Sequence, residues 1–295
     1  MQIAGLILLL LVTVQTPTFK WDPPHKCDDC ATWNKAREPF KIFGNTYFVG
    51  TDGLSSILVV GDAGLILLDG GLEQTAPLID ANIRKLGFKT EDVKLIVNSH
   101  GHFDHAGGIS SLQRFTGATV AASPRGAEAL QRGENTTDDP QYGFGKQFNG
   151  YPAVKNVKVI RDGETLKVGN IGVTAVFTPG HTPGSTTWTW QTCEAGKCLN
   201  FVYADSVSAA AAPGYKFTEH PEVIASLRRG INRLSELPCD IVVSTHPSAT
   251  GLDAKIKKRA ELKGAGPDPF VDQGCKALAA GAMKGLESRL AEEKQ

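Results

Sequence analysis

The stretch Asn98-Ser99-His100-Gly101-His102-Phe103-Asp104-His105-Ala106-Gly107-Gly108 places three of the chain's seven histidines around one aspartate. Neutral imidazole and carboxylate are good ligands for zinc, at roughly 2.0–2.2 Å. The cluster follows the apolar run "KLIVN", read as a short buried strand. Side chains alternate in an extended strand exit, so positions 100 and 102 face the same way and two imidazoles converge on one ion. Asp104 and His105 fall on the turn that follows, displaced enough to serve a second ion. Crowding desolvated imidazoles together without a metal would be costly. One ion takes about four ligands, so two ions need more than these four residues. Two further histidines sit in similar settings: His181 in "VTAVFTPGHTPGSTTW" and His246 in "CDIVVSTHPS". A lone histidine is usually a hydrogen-bonded or solvent-facing residue, but these two end apolar runs as the cluster does. Function commonly gathers on loops at one edge of a rigid scaffold. His25 and His220 have no such setting and read as structural.

The elements that would carry these turns are legible as hydrophobic periodicity. "FKIFGNTYFVG" and "LSSILVVGDAGLILLDGG" read as strands, with Gly61-Asp62-Ala63-Gly64 as a hairpin turn. "TAPLIDANIRKLG" has helical spacing closed by Gly87. "VKLIVNSH" is a buried strand followed by a helix over "AGGISSLQRFTG"; "TVAASP" and "RGAEALQRG" repeat that strand and helix. Residues 133–153, "GENTTDDPQYGFGKQFNGYPA", break the pattern as a binding loop or lid would. Strands resume over "VKVIRDGETLKVGNIGVTAVFTP", "STTWTWQT" and "LNFVYAD". "PEVIASLRRGINRLSEL" is the clearest helix, "CDIVVSTH" its buried strand, and a helix after Pro269 ends the chain. Each half thus supplies strands first and helices after. An α/β fold in which two facing mixed β-sheets carry helices on their outer faces, an αββα sandwich, would bury both sets of strands. One domain over residues 19–295 is the economical reading.

With 31 basic and 31 acidic residues the net charge is zero, which offers nothing to a nucleic acid or an acidic membrane. The apolar core of "MQIAGLILLLLVTVQTPTF" is shorter than the roughly 20 residues a bilayer span needs, and suits a signal peptide instead. Residues 1–18 therefore read as a removed leader, cleaved near Thr16 to Phe19, that sends the mature protein to the periplasm or medium with no membrane anchor. Six cysteines agree with an oxidising compartment. Cys193 and Cys198 flank a plausible turn, "EAGK". Cys27-Asp28-Asp29-Cys30 could be a redox motif or half a zinc site, but with no βαβ context and no second C-x-x-C a short local disulfide is the simpler reading. Cys239 and Cys275 are left to pair.

"SHGHFDHAGG", "TPGHTPGS", "YADSVS" and "STHPS" resemble the sequential motifs of the metallo-β-lactamase superfamily, over about Lys41 to His246. The chain is most similar to subclass B3 of the class B metallo-β-lactamases. "FGNTYFVGTDGLSSILV", "PGHTPGSTTW", "YADSVSAAAAPGY" and "LPCDIVVSTHP" carry that likeness, as does the pair Cys239 and Cys275. The resemblance implies two Zn²⁺ ions, the first on His100, His102 and His181, the second on Asp104, His105 and His246. Other subclasses use a cysteine at the second zinc, where "ADSVS" offers Ser206; His105 as a ligand fits that absence. Ser208 resembles the residue that receives a substrate carboxylate, with Ser206 beside it. Gln141 would reach the β-lactam carbonyl, and Tyr142 and Phe144 would line the rim. Many hydrolases of the superfamily bridge both metals with an aspartate, and Asp205 lies next to that position; here it reads as a support behind the ligands.

The implied function is opening of the β-lactam ring of penicillins, cephalosporins and carbapenems, with resistance as the consequence. A zinc-bound water has a pKa of about 7 and would attack as hydroxide, oriented by Asp104. The first zinc, with Gln141, would stabilise the oxyanion. Ser206 and Ser208 lie in neither S-x-x-K nor G-x-S-x-G, so a serine nucleophile is not indicated. The rivals are another hydrolase of this fold acting on a lactone, thioester or phosphodiester, and a non-catalytic zinc-binding periplasmic protein. The expected partner is a small-molecule β-lactam, and the expected state is a monomer.

Overall fold

The computed structural model describes residues 19–295; the leader expected over residues 1–18 lies outside them. Among the described residues the strands form two mixed sheets. The first has seven strands in chain order: β1 (Phe40–Phe43), β2 (Thr46–Phe48), β3 (Ile57–Val60), β4 (Leu65–Leu68), β5 (Val93–Val97), β6 (Thr119–Ala122) and β7 (Lys158–Val159). The second has five, β8 (Thr165–Val168), β9 (Ile171–Phe177), β10 (Thr186–Glu194), β11 (Lys197–Ala204) and β12 (Ile241–Ser244), with β8 and β12 at its edges. Short helices α1 (Cys30–Trp33), α3 (Phe103–Ala106) and α6 (Lys146–Asn149) are joined by longer ones. These are α2 (Ala76–Lys85), α4 (Ile109–Thr116), α5 (Pro124–Arg132), α7 (Pro221–Glu236), α8 (Leu252–Leu262) and α9 (Cys275–Glu292).

The period-two pattern of the strands determines the layering. In β4, Ile66 and Leu68 point into a central core shared with the other sheet, while Leu65 and Leu67 point outward beneath α2 and α4. In β11, Leu199, Phe201 and Tyr203 enter the same central core, and Val202 and Ala204 face α7 and α9. Trp188, Phe201 and Tyr203 are fully buried at its centre. Strands hydrophobic on both faces must be covered on both, and the αββα sandwich does that.

The order of elements differs from strands first and helices after. β4, β5, β6 and β7 run parallel, so each needs a crossover, and α2, α4 and α5 are those crossovers. Residues 158–159, grouped by sequence with the later strands, pair with β6 and close the first sheet. "FKIFGNTYFVG" is two strands, because Gly44 takes a positive φ of 53° and turns the chain back. Helix α8 carried no readable apolar stripe: only its Leu252 is buried.

Three disulfides join Cys27–Cys30, Cys193–Cys198 and Cys239–Cys275. The first two are local, across a turn and at the end of the β10–β11 hairpin. The third closes 36 residues and ties α9 to the entry of β12. Replacing both Cys239 and Cys275 by serine is expected to lower the unfolding free energy by about 4 kcal/mol, the chain-entropy value for such a loop. Urea unfolding of the oxidised protein and of that variant measures the difference.

Candidate metal centre

Strands β4, β5, β9, β11 and β12 all finish at one edge of the sandwich, and the residues just past their ends converge there. Two backbone hydrogen bonds pin the sheets together at this edge. Thr186 N donates to Ser99 O at 2.8 Å, and Ser55 N donates to Thr245 O at 2.8 Å. The indole of Trp188 adds a third link, to Asn98 O at 3.1 Å.

Asn98 and Ser99 continue from β5 and deliver His100. His102 is the N-cap of α3, in extended backbone. Asp104 and His105 therefore leave from a helical turn rather than an open one. That turn swings them away from the direction of His100 and His102, and two groups of donors result. The rings of His100, His102 and His181 form a nearly equilateral set, with centroids 4.7, 4.9 and 4.9 Å apart. Their ligand atoms lie within 4.8 Å of one another. In the second group the atoms that would coordinate are mutually close: Asp104 Oδ2 to His105 Nε2 is 3.1 Å, His105 Nε2 to His246 Nε2 is 3.2 Å, and His246 Nε2 to Asp104 Oδ2 is 3.3 Å. Tetrahedral bonds of zinc length separate neighbouring ligand atoms by about 3.3 Å, so this triangle has the dimensions of one face of a zinc polyhedron. His100 and His105, centroids 4.4 Å apart, make the two groups adjacent.

Each imidazole of the first group is held by its other nitrogen, which selects the atom left to coordinate. His100 Nδ1 bonds Asp205 Oδ1 at 2.6 Å, His102 Nε2 bonds Asp139 Oδ2 at 3.0 Å, and His181 Nδ1 bonds Ser208 O at 3.0 Å. Nε2 of His100, Nδ1 of His102 and Nε2 of His181 remain. In the second group His246 Nδ1 rests on Gly53 O at 3.2 Å. His100 Nε2 is buried without a hydrogen-bond partner, an unfavourable state that coordination to a metal removes. These residues therefore fit a metal.

Burial holds His181 down to about 3 and His100 well below the ordinary imidazole range, the neighbouring histidines adding to the effect. Both are neutral lone-pair donors at physiological pH. Burial also opposes charge on His102 and His105, but the carboxylates of Asp139 and Asp104 outweigh it and raise both. Asp104 is held well below the carboxylate range, its burial overcome by His105 and His246. Without metal, Asp104 faces His105 as a partner that favours its protonated form, so a cation entering the second group competes with that proton.

The structure places the other expected site residues less uniformly. Ser206, Ser208 and His246 line one cavity of about 590 Å³. The Ser206 hydroxyl is engaged with Thr245 Oγ1 at 2.9 Å, and Ser208 is exposed. Gln141 is half-buried, its N–H donating to Asp139 Oδ1 at 2.7 Å. Tyr142 lines a separate cavity of about 760 Å³ beside Asp139, Gly180 and Tyr215, whereas Phe144 turns toward Phe148, ring centroids 5.0 Å apart. Asp205 directs one oxygen to His100 and Ser206 N, as a support behind the first group. His25 stacks on Phe103 and His220 on Tyr215, both with centroids 4.4 Å apart.

Two supporting residues escaped the sequence reading. Asp139 comes from the long loop, and nothing distinguishes it locally from Asp138 beside it. Asp69 follows β4 with a positive φ of 60°. It accepts from Asn98 Nδ2, Ser99 N, Ser99 Oγ and Tyr203 OH at 3.0, 2.7, 2.6 and 2.8 Å, which fixes the chain leading into His100. Burial raises Asp69 to about 6 against those donors. An acid closing an apolar run before two glycines, "LLDGG", was the available signal.

A family model described as the Metallo-beta-lactamase superfamily matches residues 49–193. Among solved structures, the chain is similar to Rm3 metallo-beta-lactamase, at 51% identity and a TM-score of 0.87, over 92% of this chain and 100% of that one. It is also similar to MEM-A1, a subclass B3 metallo-beta-lactamase isolated from a soil metagenome library, at 45% identity and a TM-score of 0.84, over 89% of this chain and 98% of that one. Curated relatives match less of it. A probable metallo-hydrolase of Methanocaldococcus jannaschii is 28% identical over 131 residues, 44% of this chain, and the match spans 59% of that protein.

Two outcomes follow from the donor arrangement. Loading the metal-free protein with zinc at pH 7 is expected to release protons from the His102 and His105 groups, and affinity should rise with pH; proton release into weakly buffered solution, shrinking as the pH is raised, measures this. Asp139→Ala, which frees the far nitrogen of His102, should weaken zinc at the first group by about 10-fold to 100-fold in competition with a chromogenic chelator.

Proposed function

Because this chain belongs to the metallo-beta-lactamase superfamily, we propose that it is a zinc-dependent β-lactamase that opens the ring of penicillins, cephalosporins and carbapenems and so confers resistance to them. The observation that carries this reading is the likeness to solved metallo-beta-lactamases, Rm3 at 51% identity along 92% of the chain. Two zinc ions are proposed, one on His100, His102 and His181, the other on Asp104, His105 and His246. Zinc, when bound, supplies Lewis acidity and an activated water at neutral pH. The donors of the second group, one carboxylate and two imidazoles, suit zinc as the three imidazoles of the first group do.

The chain's own residues divide the remaining work. Asp104 keeps its charge at neutral pH and holds one oxygen between His105 and His246; from there it orients the nucleophile. Ser208, exposed and with its hydroxyl 3.2 Å from His181 Nδ1, is assigned to the substrate carboxylate, with Ser206 beside it. Gln141 is assigned to the carbonyl side of the substrate, at the edge of the loop that Asp139 anchors. Asp205, Asp139 and the Ser208 carbonyl keep three imidazoles from rotating, so the donors need no reorganisation during the reaction. Three disulfides support export to the periplasm or medium. One catalytic domain over residues 19–295, acting as a monomer on a small molecule, completes the proposal.

A lactonase or thioesterase of the same fold is the second reading, since the human acyl-coenzyme A thioesterase MBLAC2 is 33% identical over 103 residues, spanning 35% of its length. One oxygen of Asp205 is engaged with His100 Nδ1 and Ser206 N, which supports its role behind a ligand in the lactamase reading. Purified protein is expected to hydrolyse a carbapenem, to lose that activity to a chelator and to regain it with zinc. Inactivity on every β-lactam together with robust lactone or thioester cleavage would overturn the reading. His105→Ala should lower the bound zinc from two ions to one, by metal analysis after dialysis; a stoichiometry of two in that variant would refute the ligand assignment.

A further inference from the structure

Of the six donors, His246 is the least enclosed. Its side chain is 32% exposed, whereas that of Asp104 is 9% and that of His105 is 1%. Carboxylates hold His100 and His102 from behind, but the far nitrogen of His246 meets only the backbone carbonyl of Gly53. The placement of that carbonyl decides where His246 points.

Gly53 is set by the segment around α1. Its N–H donates to Trp33 O at 3.1 Å, and the hydroxyl of Thr51 donates to the same oxygen at 2.7 Å. A Cβ on Gly53 would lie 2.6 Å from Trp33 Cα, so the two backbones touch with no room for a side chain between them. The indole of Trp33 continues past Gly53 to the metal centre. Its ring lies 5.6 Å from that of His246 and 6.4 Å from that of Phe103, the residue between His102 and Asp104. Trp33 thus braces the second group twice, through the Gly53 carbonyl on one nitrogen of His246 and through contact with its ring.

The brace is itself stapled. Cys27–Cys30 closes the turn that starts α1, and Trp33 N donates to Asp29 O within it at 2.8 Å. Beyond the helix, Asn34 accepts from Thr75 Oγ1 at 2.6 Å, and before it Gln74 exchanges two hydrogen bonds with the backbone of His25, at 2.9 and 3.0 Å. The segment is therefore tied down on both sides, with the disulfide limiting the freedom of the turn that carries the indole. This accounts for a C-x-x-C that neither the redox nor the zinc reading explains.

We infer that Trp33 is a positioning residue for His246, and that the stapled segment Cys27–Trp33 sets how tightly the second metal is held. The inference rests on the two-metal reading of the site and is independent of the substrate. Trp33→Leu removes the ring but not the backbone carbonyl; Trp33→Phe keeps a flat ring against His246. In chelator competition, Trp33→Leu is expected to weaken one of the two zinc ions by up to about 10-fold, the low end of the range for loss of a hydrogen-bonded outer partner because the Gly53 carbonyl remains, and to leave the other unchanged. Trp33→Phe should recover most of the loss. The paired Cys27→Ser and Cys30→Ser variant should show a smaller loss at the same ion. In cobalt-substituted protein, the visible bands of one metal should shift in Trp33→Leu and return in Trp33→Phe.

Unchanged affinity for both ions in Trp33→Leu, or equal loss of both, would overturn the inference. If that variant does not fold, the disulfide-free pair decides alone, and undiminished second-metal affinity there overturns it. A single bound zinc in the unaltered protein would overturn the two-metal reading as well, whereas absence of β-lactam hydrolysis would leave these metal-binding outcomes untouched.

Discussion

Five imidazoles and a carboxylate that must converge within a few ångströms, most of them away from water, are the constraint on which the rest of the molecule depends. Desolvated donors with lone pairs aimed at one another repel, and the chain has to supply enough rigidity to keep them there. The sandwich meets this with strand ends. A buried strand is the stiffest support a protein can offer, and the donors stand on the few residues just past β5, β9 and β12. The hydrogen bonds from Thr186 to Ser99 and from Ser55 to Thr245 fix one sheet's donors relative to the other's.

Behind that frame, burial keeps His100 and His181 neutral, and buried acids raise His102 and His105 and hold the rings of His100 and His102. Asp205 and Asp139 take the far nitrogens of His100 and His102, while Asp69 holds the Asn98–Ser99 approach through four hydrogen bonds. These carboxylates are buried, and burial by itself would neutralise them; Asp139 stays charged because His102 faces it, and Asp69 is pushed up to about 6. The buried acids and the clustered imidazoles therefore stabilise one another.

The two donor groups differ in how they are enclosed. In the first, Asp205 and Asp139 stand behind His100 and His102, and His181 comes from the turn Pro179–Pro183. The second opens toward the cavity lined by Ser206, Ser208 and His246 and is closed on its outer side by the segment ending at Trp33.

Much of this was readable from residue order. The H-x-H-x-D-H cluster, the glycine- and proline-bounded His181, and His246 at the end of an apolar run all announced donors at strand ends, because ligand type and strand periodicity are local properties. Most strands and the helices α2, α4, α5, α7 and α9 were legible for the same reason, and α8 was not, because it buries only Leu252. Partners distant in sequence were not legible at all. Asp139 looks like any loop acid until the loop folds back on His102, and Trp33 lies 213 positions from His246, the ring it contacts. Residue type and local periodicity are enough to name the side chains able to bind metal and the segments able to carry them. Which nitrogen of His100, His102, His181 and His246 faces the centre, and what braces each ring, depends on hydrogen bonds and contacts that exist only once the two sheets are packed together.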